Sequence, residues 1–135
     1  MTELRRVGVY GRSISDGSIL LTRLSRLEPE SGKWTLPGGG MEEGESRHET
    51  LLREFDEETG LTPDIGELLG IFTRLYPANG RRGPLRVIQY VYEVAAAGDP
   101  EVREVGGSTE ASSWVPLGDV VGFDLVELAR WAIDR

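Results

Sequence analysis

Four carboxylates lie within five consecutive positions of this chain, in the segment Arg53-Glu54-Phe55-Asp56-Glu57-Glu58. Such a density of like charge disfavours a helix, because neighbouring carboxylates repel one another. A divalent cation removes this objection, since hard cations such as Mg²⁺ bind oxygen ligands, usually a few carboxylates together with the phosphates of a substrate. The segment therefore indicates metal-assisted chemistry on a phosphorylated substrate.

The spacing of three of these acids brings them together if the segment is helical. Glu54, Glu57 and Glu58 are three and four residues apart, so their side chains share an arc of about 100° on one face of a helix. Asp56 points away from that arc. The same run also fits a solvated, charged helix face, which is the usual interpretation of an acidic segment. The flanking residues help to decide between the two interpretations.

Residues on both sides of the acidic run match a longer motif. The nine matching positions are Gly39, Glu45, Arg53, Glu54, Phe55, Glu57, Glu58, Gly60 and Leu61. With average residue frequencies, a chance match at all of them is on the order of one in 10⁸ per starting position. On these residues the chain resembles the Nudix hydrolases, also called MutT-like proteins. The segment 34–40, with its three consecutive glycines, extends the resemblance upstream.

The resemblance implies a fold and a set of site residues. The fold is α/β, a Nudix-type α/β/α sandwich with a mixed sheet and a catalytic helix. Glu57 and Glu58 correspond to the principal metal ligands, and Glu54 to a further ligand or to the base that activates water. The backbone carbonyl of Gly38 corresponds to another ligand, and glycine suits a chain that must approach an ion closely. Arg53 completes the expected catalytic set as an arginine that fixes the glutamates through ion pairs.

Acidic residues outside the motif are candidates for an additional ligand, which many family members recruit. Glu110, just ahead of an expected late strand, is the first candidate. Glu104 and Glu93 are its rivals, and each of the three also fits an ordinary exposed acid. Glu45 is expected to be structural, because an acidic residue in the first helical turn is stabilised by the positive end of the helix dipole.

The resemblance also implies a reaction. The expected protein is a Mg²⁺-dependent pyrophosphohydrolase that cleaves the diphosphate of a nucleoside diphosphate linked to another moiety. The substrate is then either a nucleoside triphosphate or a compound of the ADP-ribose and sugar-nucleotide class, and Mn²⁺ is the alternative cation. The alternative function is a non-catalytic Nudix-fold module that senses a nucleotide. The presence of all three motif glutamates favours the enzyme, and no sequence feature selects one substrate.

The bulk properties exclude several other classes of function. The 135 residues carry a net charge of −8, the wrong sign for binding the backbone of a nucleic acid polymer. The lack of cysteine excludes disulfides, thiolate metal sites and cysteine nucleophiles. No apolar run reaches about 18 residues and no signal-peptide region is found, so no membrane association is expected. We expect one Nudix hydrolase domain over residues 1–135, in the cytoplasm, and a homodimer is compatible with the sequence.

Apolar periodicity and turn signals predict the elements that position the glutamates. Strands are expected at 6–14 and 19–24, at 34–36, as a hairpin at 68–75 and 87–94, and at 113–115, with a closing helix at 124–133. The motif helix is expected at 45–59 and ended by Gly60. Its apolar stripe, Leu51, Leu52 and Phe55, is expected to pack on a sheet. Strands on both sides of one helix predict a mixed sheet covered by helices.

Three arginines, Arg81, Arg82 and Arg86, cluster around the expected hairpin loop at 78–84. Arginine suits bidentate contacts to phosphate, so these residues are candidates for a clamp on the substrate. The alternative is a solvated loop whose positive charges offset nearby acids.

Overall fold

The computed structural model describes residues 2–134, and its elements follow the expected order. The strands are β1 (Leu4–Arg12), β2 (Ile14–Ser15), β3 (Ser18–Leu24), β4 (Trp34–Thr35), β5 (Gly38–Gly40), β6 (Asp64–Tyr76), β7 (Leu85–Ala95) and β8 (Thr109–Pro116). The α-helices are α1 (Arg47–Thr59) and α2 (Glu127–Ile133), and a 3-10 helix (Leu117–Gly122) precedes α2. In the described part of the chain, no helix is long and apolar enough to cross a membrane.

The strands form two sheets. The first has the order β5-β1-β7-β6, in which β1 runs parallel to β7 and the other neighbours are antiparallel. In the second sheet, β3 pairs antiparallel with β2, β4 and β8. The parallel pair within an otherwise antiparallel sheet confirms the prediction of a mixed sheet.

The two α-helices pack on different clusters of buried apolar residues. One cluster joins Leu51 and Phe55 of α1 to residues of β1, β3 and β7. The other joins Leu128, Ala129 and Ala132 of α2 to residues of β3, β7 and β8. Because β3 and β7 contribute to both clusters, the sheets lie between the helices, and the predicted α/β/α arrangement is confirmed.

Local capping sets the ends of α1. The hydroxyl of Ser46 accepts from the backbone N–H of Glu49, and the Glu49 carboxylate accepts from the N–H of Ser46, which closes a capping box. Gly60 ends the helix with a φ of 70°, a conformation that favours glycine. The predicted stop is therefore confirmed. The helix begins two residues later than expected, so Glu45 lies outside it.

The apolar stripe of α1 is narrower than predicted. Leu51 and Phe55 are fully buried, whereas 41% of Leu52 is exposed. The prediction for Leu52 is wrong because one residue turns a helix by about 100°, which carries this side chain from the sheet towards solvent. Phe55 packs where β1 has a glycine: a Cβ at Gly11 would lie 2.8 Å from the phenyl ring.

β8 and the closing helix, like β6 and β7, differ in length from their predictions. β8 exceeds the expected 113–115 because it pairs with β3 over its whole length. The closing helix begins at Glu127 instead of residue 124, because the residues before it bond to Trp34. The N–H of Trp34 donates to the carbonyl of Asp124, and its carbonyl accepts from Val126. Both differences arise from pairing partners that are distant in sequence.

Candidate active site

The three motif glutamates lie on one side of α1, as their spacing predicts. Glu54 and Glu58 are one turn apart and face the interior, with 8% and 4% of their surfaces exposed. Glu57 lies beside them and is partly exposed. Asp56 points to solvent, where its carboxylate pairs with Arg103 at 2.9 Å. The solvated-face interpretation is therefore wrong for this helix, which buries two carboxylates.

Glu58 connects α1 to two strands. Its Oε1 accepts from the N–H of Gly38 at 2.8 Å, and its Oε2 accepts from the Thr109 hydroxyl at 2.5 Å. Burial raises the pKa of the Glu58 carboxyl to about 8, although both hydrogen bonds lower it. The carboxyl is thus held in position in a place that disfavours its charged form.

The glycines of β5 lie directly against the glutamates. Gly38 has a φ of 149°, and a Cβ there would lie 2.2 Å from the carbonyl oxygen of Val9, so only glycine fits. A Cβ at Gly39 would lie 2.6 Å from the carboxylate of Glu54. Burial raises the pKa of the Glu54 carboxyl to about 7, which outweighs the lowering by Arg53. The side-chain-free strand is what allows the carboxylates to approach the backbone.

Gly39→Ala is expected to displace the Glu54 carboxylate and to lower kcat by about 10- to 100-fold, because misplacing a reacting group by about 1 Å has effects of this size. The fold should persist, since the new methyl meets only the far end of one side chain. Gly40→Ala is the matched control, because its Cβ would lie 4.0 Å from the nearest atom, the Val7 carbonyl oxygen. Steady-state kinetics measure kcat for both variants. Equal kcat values would contradict the expected displacement of the Glu54 carboxylate.

Arg53 links the acids around the site. Its Nε and Nη2 donate to the two carboxylate oxygens of Glu45 at 2.7 and 3.0 Å, a bidentate pair. Nη2 also donates to the carbonyl of Gly40 at 2.9 Å. Nη1 donates to Glu54 at 3.0 Å and, more weakly, to both carboxylate oxygens of Glu57 at 3.4 Å. One guanidinium thus holds the glutamates relative to β5.

Glu45 has a structural role, as predicted, but the role depends on hydrogen bonds and not on the helix dipole. It contributes nothing to the first helical turn, because it lies outside α1. Its carboxylate accepts from Arg53, from the N–H of Glu42 at 2.8 Å and from the Thr50 hydroxyl at 2.9 Å. The hydrogen bond from Arg53 is the main reason that the pKa of Glu45 falls to about 2. Glu45 therefore anchors the arginine.

Glu104 is the acid outside the motif that the structure brings to the glutamates. The backbone N–H groups of Arg103 and Glu104 donate to the carbonyl of Glu57 at 2.8 and 3.0 Å. Burial raises the pKa of the Glu57 carboxyl, and the hydrogen bond and negative charge of Glu104 raise it further. The carboxyls of Glu57 and Glu104 therefore lie within hydrogen-bonding distance of each other.

The other two candidates lie elsewhere. Glu110 pairs with Arg23 at 3.4 Å on the second sheet, and Glu93 pairs with Arg12 at 2.7 Å. The sequence favours Glu110 because this residue flanks an expected strand. No local signal identifies Glu104, whose position depends on backbone bonds between its loop and the end of α1.

These carboxylates have the chemistry of a site for a hard divalent cation. Glu54 and Glu58 are acids in surroundings that disfavour their charge, so a cation beside them would relieve that cost. Within residues 2–134, no three Asp, Glu or His side chains already enclose an ion-sized space, because each motif glutamate is turned to a hydrogen-bond donor of the protein. The oxygen donors fit Mg²⁺ or Mn²⁺ by type.

In protein stripped of divalent cations, the melting temperature is expected to fall by more than about 3 °C as pH rises from 4.5 to 8. The carboxyls of Glu54 and Glu58 have folded-state pKa values of about 7 and 8, above the ordinary 4.5. Their contribution to stability is therefore complete below pH 4.5 and is lost as pH rises through those values. The pKa of Glu45 is lowered, so the titration of this carboxyl changes the melting temperature only below this pH range.

Thermal melts in EDTA across this pH range test the expectation. Glu58→Gln should flatten the slope, because it removes one of the titrating groups. Millimolar Mg²⁺ should raise the melting temperature more at pH 8 than at pH 5, because the cation binds the charged carboxylates. A melting temperature that rises between pH 5 and 8 in EDTA would contradict the assignment.

A cleft of about 1070 Å³ opens beside the glutamates. Glu54, Glu58 and the three glycines of β5 form one part of its lining. The lining also contains apolar side chains, among them Leu24, Phe72, Leu85, Val87, Leu125, Val126 and Leu128. The cationic ones are Arg6, Lys33, Arg74, Arg82 and Arg130. This combination suits a ligand with an aromatic or sugar part and several negative charges.

Known proteins are similar to this chain in both sequence and fold. Residues 3–134 match the NUDIX domain family. The chain is 33% identical over 129 residues to an ADP-ribose pyrophosphatase from Methanocaldococcus jannaschii, covering 96% of this chain and 68% of that protein. It is 32% identical over 118 residues to the nucleoside triphosphatase NudI of Escherichia coli, covering 82% of each.

A solved structure agrees in both sequence and geometry. The crystal structure of a MutT NUDIX hydrolase from Burkholderia pseudomallei superposes with a TM-score of 0.76 and 32% identity, covering 96% of each chain. The family match spans nearly the whole described chain, and α1 contains the three glutamates of the sequence motif. The chain therefore belongs to the Nudix hydrolase family.

Proposed function

We propose that this chain is a Mg²⁺-dependent pyrophosphohydrolase that cleaves the diphosphate of a nucleoside diphosphate linked to another moiety. The observation that carries the proposal is the burial of Glu54 and Glu58 against the glycines of β5, at a cleft large enough for a nucleotide. The activities named for the archaeal and bacterial relatives support two substrate classes, ADP-ribose-like compounds and nucleoside triphosphates. The proposal treats residues 1–135 as one cytoplasmic catalytic domain.

The cation would be held by oxygen ligands of α1 and β5. We propose the carboxylates of Glu54, Glu57 and Glu58 and the backbone carbonyl of Gly38, with Mn²⁺ as an alternative to Mg²⁺. When bound, such a cation would neutralise charge on the diphosphate and lower the pKa of water. Arg53 keeps the carboxylates in place, and Thr109 and the N–H of Gly38 orient Glu58.

Glu54 is the proposed general base. Burial raises the pKa of its carboxyl to about 7 in the cation-free chain, which makes it a stronger proton acceptor than an ordinary glutamate. The water oxygen forms a bond to one phosphorus, and the bridging P–O bond breaks. The products are a nucleoside monophosphate and a second phosphate-bearing compound. Glu104 is the alternative base, because its carboxyl lies beside that of Glu57.

A pair of variants separates these two bases. Glu54→Gln is expected to lower kcat by about 10²-fold, the usual contribution of a general base, whereas Glu104→Gln should lower it by less than about 10-fold. Measuring rates over a range of Mg²⁺ concentrations separates loss of the base from loss of a cation ligand, since a lost ligand raises the Mg²⁺ requirement. The reverse order of the two effects would assign the base to Glu104.

Hydrolysis of a nucleotide panel with identified products tests the proposed function. The panel contains nucleoside and deoxynucleoside triphosphates, ADP-ribose and sugar nucleotides, each with and without Mg²⁺. The expected result is Mg²⁺-dependent release of a nucleoside monophosphate from at least one of them. Saturable nucleotide binding without turnover would overturn the proposal and favour the sensing module.

A further inference from the structure

The loop between β3 and β4 places the carboxylate of Glu28 on the cleft. Glu28 belongs to the cleft lining and is partly buried. Its carboxylate has no hydrogen bond and no ion pair within residues 2–134. Two other acids of the lining, Glu30 and Glu127, pair with Lys33 and Arg74 respectively. The carboxylate oxygens of Glu28 are therefore available to accept from a ligand in the cleft.

Backbone hydrogen bonds connect this loop to the strand that holds Glu58. The N–H of Glu28 donates to the carbonyl of Ser25 at 3.1 Å, and the N–H of Ser25 donates to the carbonyl of Ser108 at 2.8 Å. The next residue, Thr109, begins β8, and its hydroxyl donates to Glu58. These bonds position Glu28 relative to the motif glutamates, which limits the conformational entropy that is lost when a ligand binds.

The phenol of Tyr10 forms part of the cleft floor near Glu28. Its ring packs where the backbone has no side chains, since a Cβ at Gly38 would lie 2.7 Å from Cδ1 and a Cβ at Gly8 would lie 2.9 Å from Cε2. Burial raises the pKa of the Tyr10 hydroxyl to about 12, although a hydrogen bond from Gln89 lowers it. The negative charges of two motif glutamates and of Glu28 raise this pKa further. Glu28 and the glutamates are thus close enough to act on the same hydroxyl.

The hairpin loop between β6 and β7 adds positive charge to the cleft. Arg82 belongs to the lining, and its Nη1 is buried and has no acceptor within residues 2–134. Arg81 is exposed and lies outside the lining, and Arg86 pairs with Glu3 at 2.8 Å. Arg82 is therefore the arginine of this sequence cluster that is available to the phosphates of a ligand.

The sign of its charge determines which part of a nucleotide Glu28 can bind. A carboxylate repels phosphates, which are attracted instead to Arg82 and to a cation at the motif glutamates. Glu28 therefore suits an uncharged part of the ligand that carries hydrogen-bond donors. The two oxygens of a carboxylate accept two donors at once when those donors lie side by side. A nucleoside has such a pair in N1–H and N2–H of guanine, and another in the 2′- and 3′-hydroxyls of ribose.

We propose that Glu28 is a specificity residue that accepts hydrogen bonds from two adjacent donors on the nucleoside of the substrate. If guanine supplies the donors, the preferred substrates are guanine nucleotides. If the ribose supplies them, the preferred substrates are ribonucleotides. This inference rests on the proposed function, since it assumes that the diphosphate lies at the motif glutamates.

Binding of nucleoside monophosphates tests the inference without any turnover. The probes are GMP, IMP and 2′-deoxy-GMP, titrated calorimetrically into the full chain with saturating Mg²⁺. IMP lacks the N2 amino group, and 2′-deoxy-GMP lacks one of the two ribose hydroxyls. GMP should bind the unsubstituted protein at least about 10-fold more tightly than one of the other two, as expected for a hydrogen bond to a charged acceptor. Weaker binding of IMP assigns the donors to guanine, and weaker binding of 2′-deoxy-GMP assigns them to ribose.

Variants of two acids in the same loop assign the preference to one carboxylate. Glu28→Ala should abolish the preference for GMP. Glu28→Gln should reduce it, because glutamine keeps the size of the side chain but has one acceptor oxygen and no charge. Glu30→Gln is the matched control and should retain the preference, because the Glu30 carboxylate is paired with Lys33 at 3.3 Å.

Equal affinity of the unsubstituted protein for all three probes would overturn the inference, and so would a preference that survives in Glu28→Ala. A preference that is lost equally in Glu30→Gln would also overturn it, because the overall charge of the loop would then be responsible. These outcomes differ from failure of the proposed function. Nucleotide hydrolysis without any preference among the probes would remove only the role of Glu28. A Glu28-dependent preference without hydrolysis of any nucleotide would remove only the enzyme activity.

Discussion

Glu58→Gln is expected to lower kcat by at least about 10³-fold and to leave the fold intact. Two effects lower kcat in this variant. The cation loses a negatively charged ligand, and it is held in a different position. Each effect alone is expected to lower kcat by about 10²-fold or more. The fold should persist because glutamine has the shape of the protonated acid. Its amide oxygen can accept from Gly38, and its amide nitrogen can donate to the Thr109 hydroxyl.

The charge state of Glu58 strengthens this expectation. With a pKa of about 8, the buried carboxyl is mostly neutral at pH 7 in the cation-free chain. Glutamine therefore reproduces the stable form of the side chain and removes only its ability to become charged. The melting temperature in EDTA should be nearly unchanged at about pH 4.5 and higher than that of the unsubstituted protein at about pH 6 to 8, because the unfolded chain can no longer gain from ionising this carboxyl. Mg²⁺ should stabilise the variant less than the unsubstituted protein.

Asp56→Asn is the matched control for this experiment. Asp56 belongs to the same acidic run and loses the same charge, but its carboxylate is exposed and pairs with Arg103. Its removal should change kcat by less than about twofold, because a surface ion pair contributes little. Full turnover by Glu58→Gln would rule out the proposed ligand set, and a collapse of activity in Asp56→Asn would show that overall charge matters more than position.

Helix α1 was predictable because the residues that specify it are close together in the sequence. The three glutamates, their phase on the helix and the glycine that ends it all lie within a single short segment. A helix keeps a fixed angular relation between such residues whatever its surroundings. The same reasoning placed Leu52 wrongly, because the width of the buried stripe depends on the partner sheet and not on the helix.

The partners of the helix were not predictable, because they come from distant segments. Thr109 reaches Glu58 only because β8 pairs with β3 in one particular register. Glu104 reaches Glu57 only because its loop returns to bond to the end of α1. Likewise, Arg81 and Arg82 are equivalent in sequence, and only the turn of the hairpin places one of them on the cleft. Strand register and loop path determine these contacts.

Arg53→Ala is expected to lower kcat by about 10²- to 10³-fold and the free energy of unfolding by about 2 kcal/mol. Glu45, Glu54 and Glu57 all accept hydrogen bonds from Arg53. The variant is expected to lower kcat because the three carboxylates lose this shared donor. We expect the free energy of unfolding to fall by an amount near the lower end of the range for charged hydrogen bonds. The reason is that about a quarter of the Arg53 side chain is exposed, and solvent weakens its ion pairs. Chemical denaturation and steady-state kinetics measure the two effects separately.

Arg53→Lys distinguishes charge from geometry. Lysine keeps the positive charge but lacks the planar fork, so it cannot bind both oxygens of Glu45 and still reach the motif glutamates. It should therefore recover part of the stability and little of the rate. Arg47→Ala is the control on the same helix, because Arg47 lies over the ring of Tyr90 at 4.3 Å and contacts none of these acids. If Arg53→Lys restored the full rate, positive charge alone would hold the carboxylates, and the bidentate pair with Glu45 would have no part in positioning them.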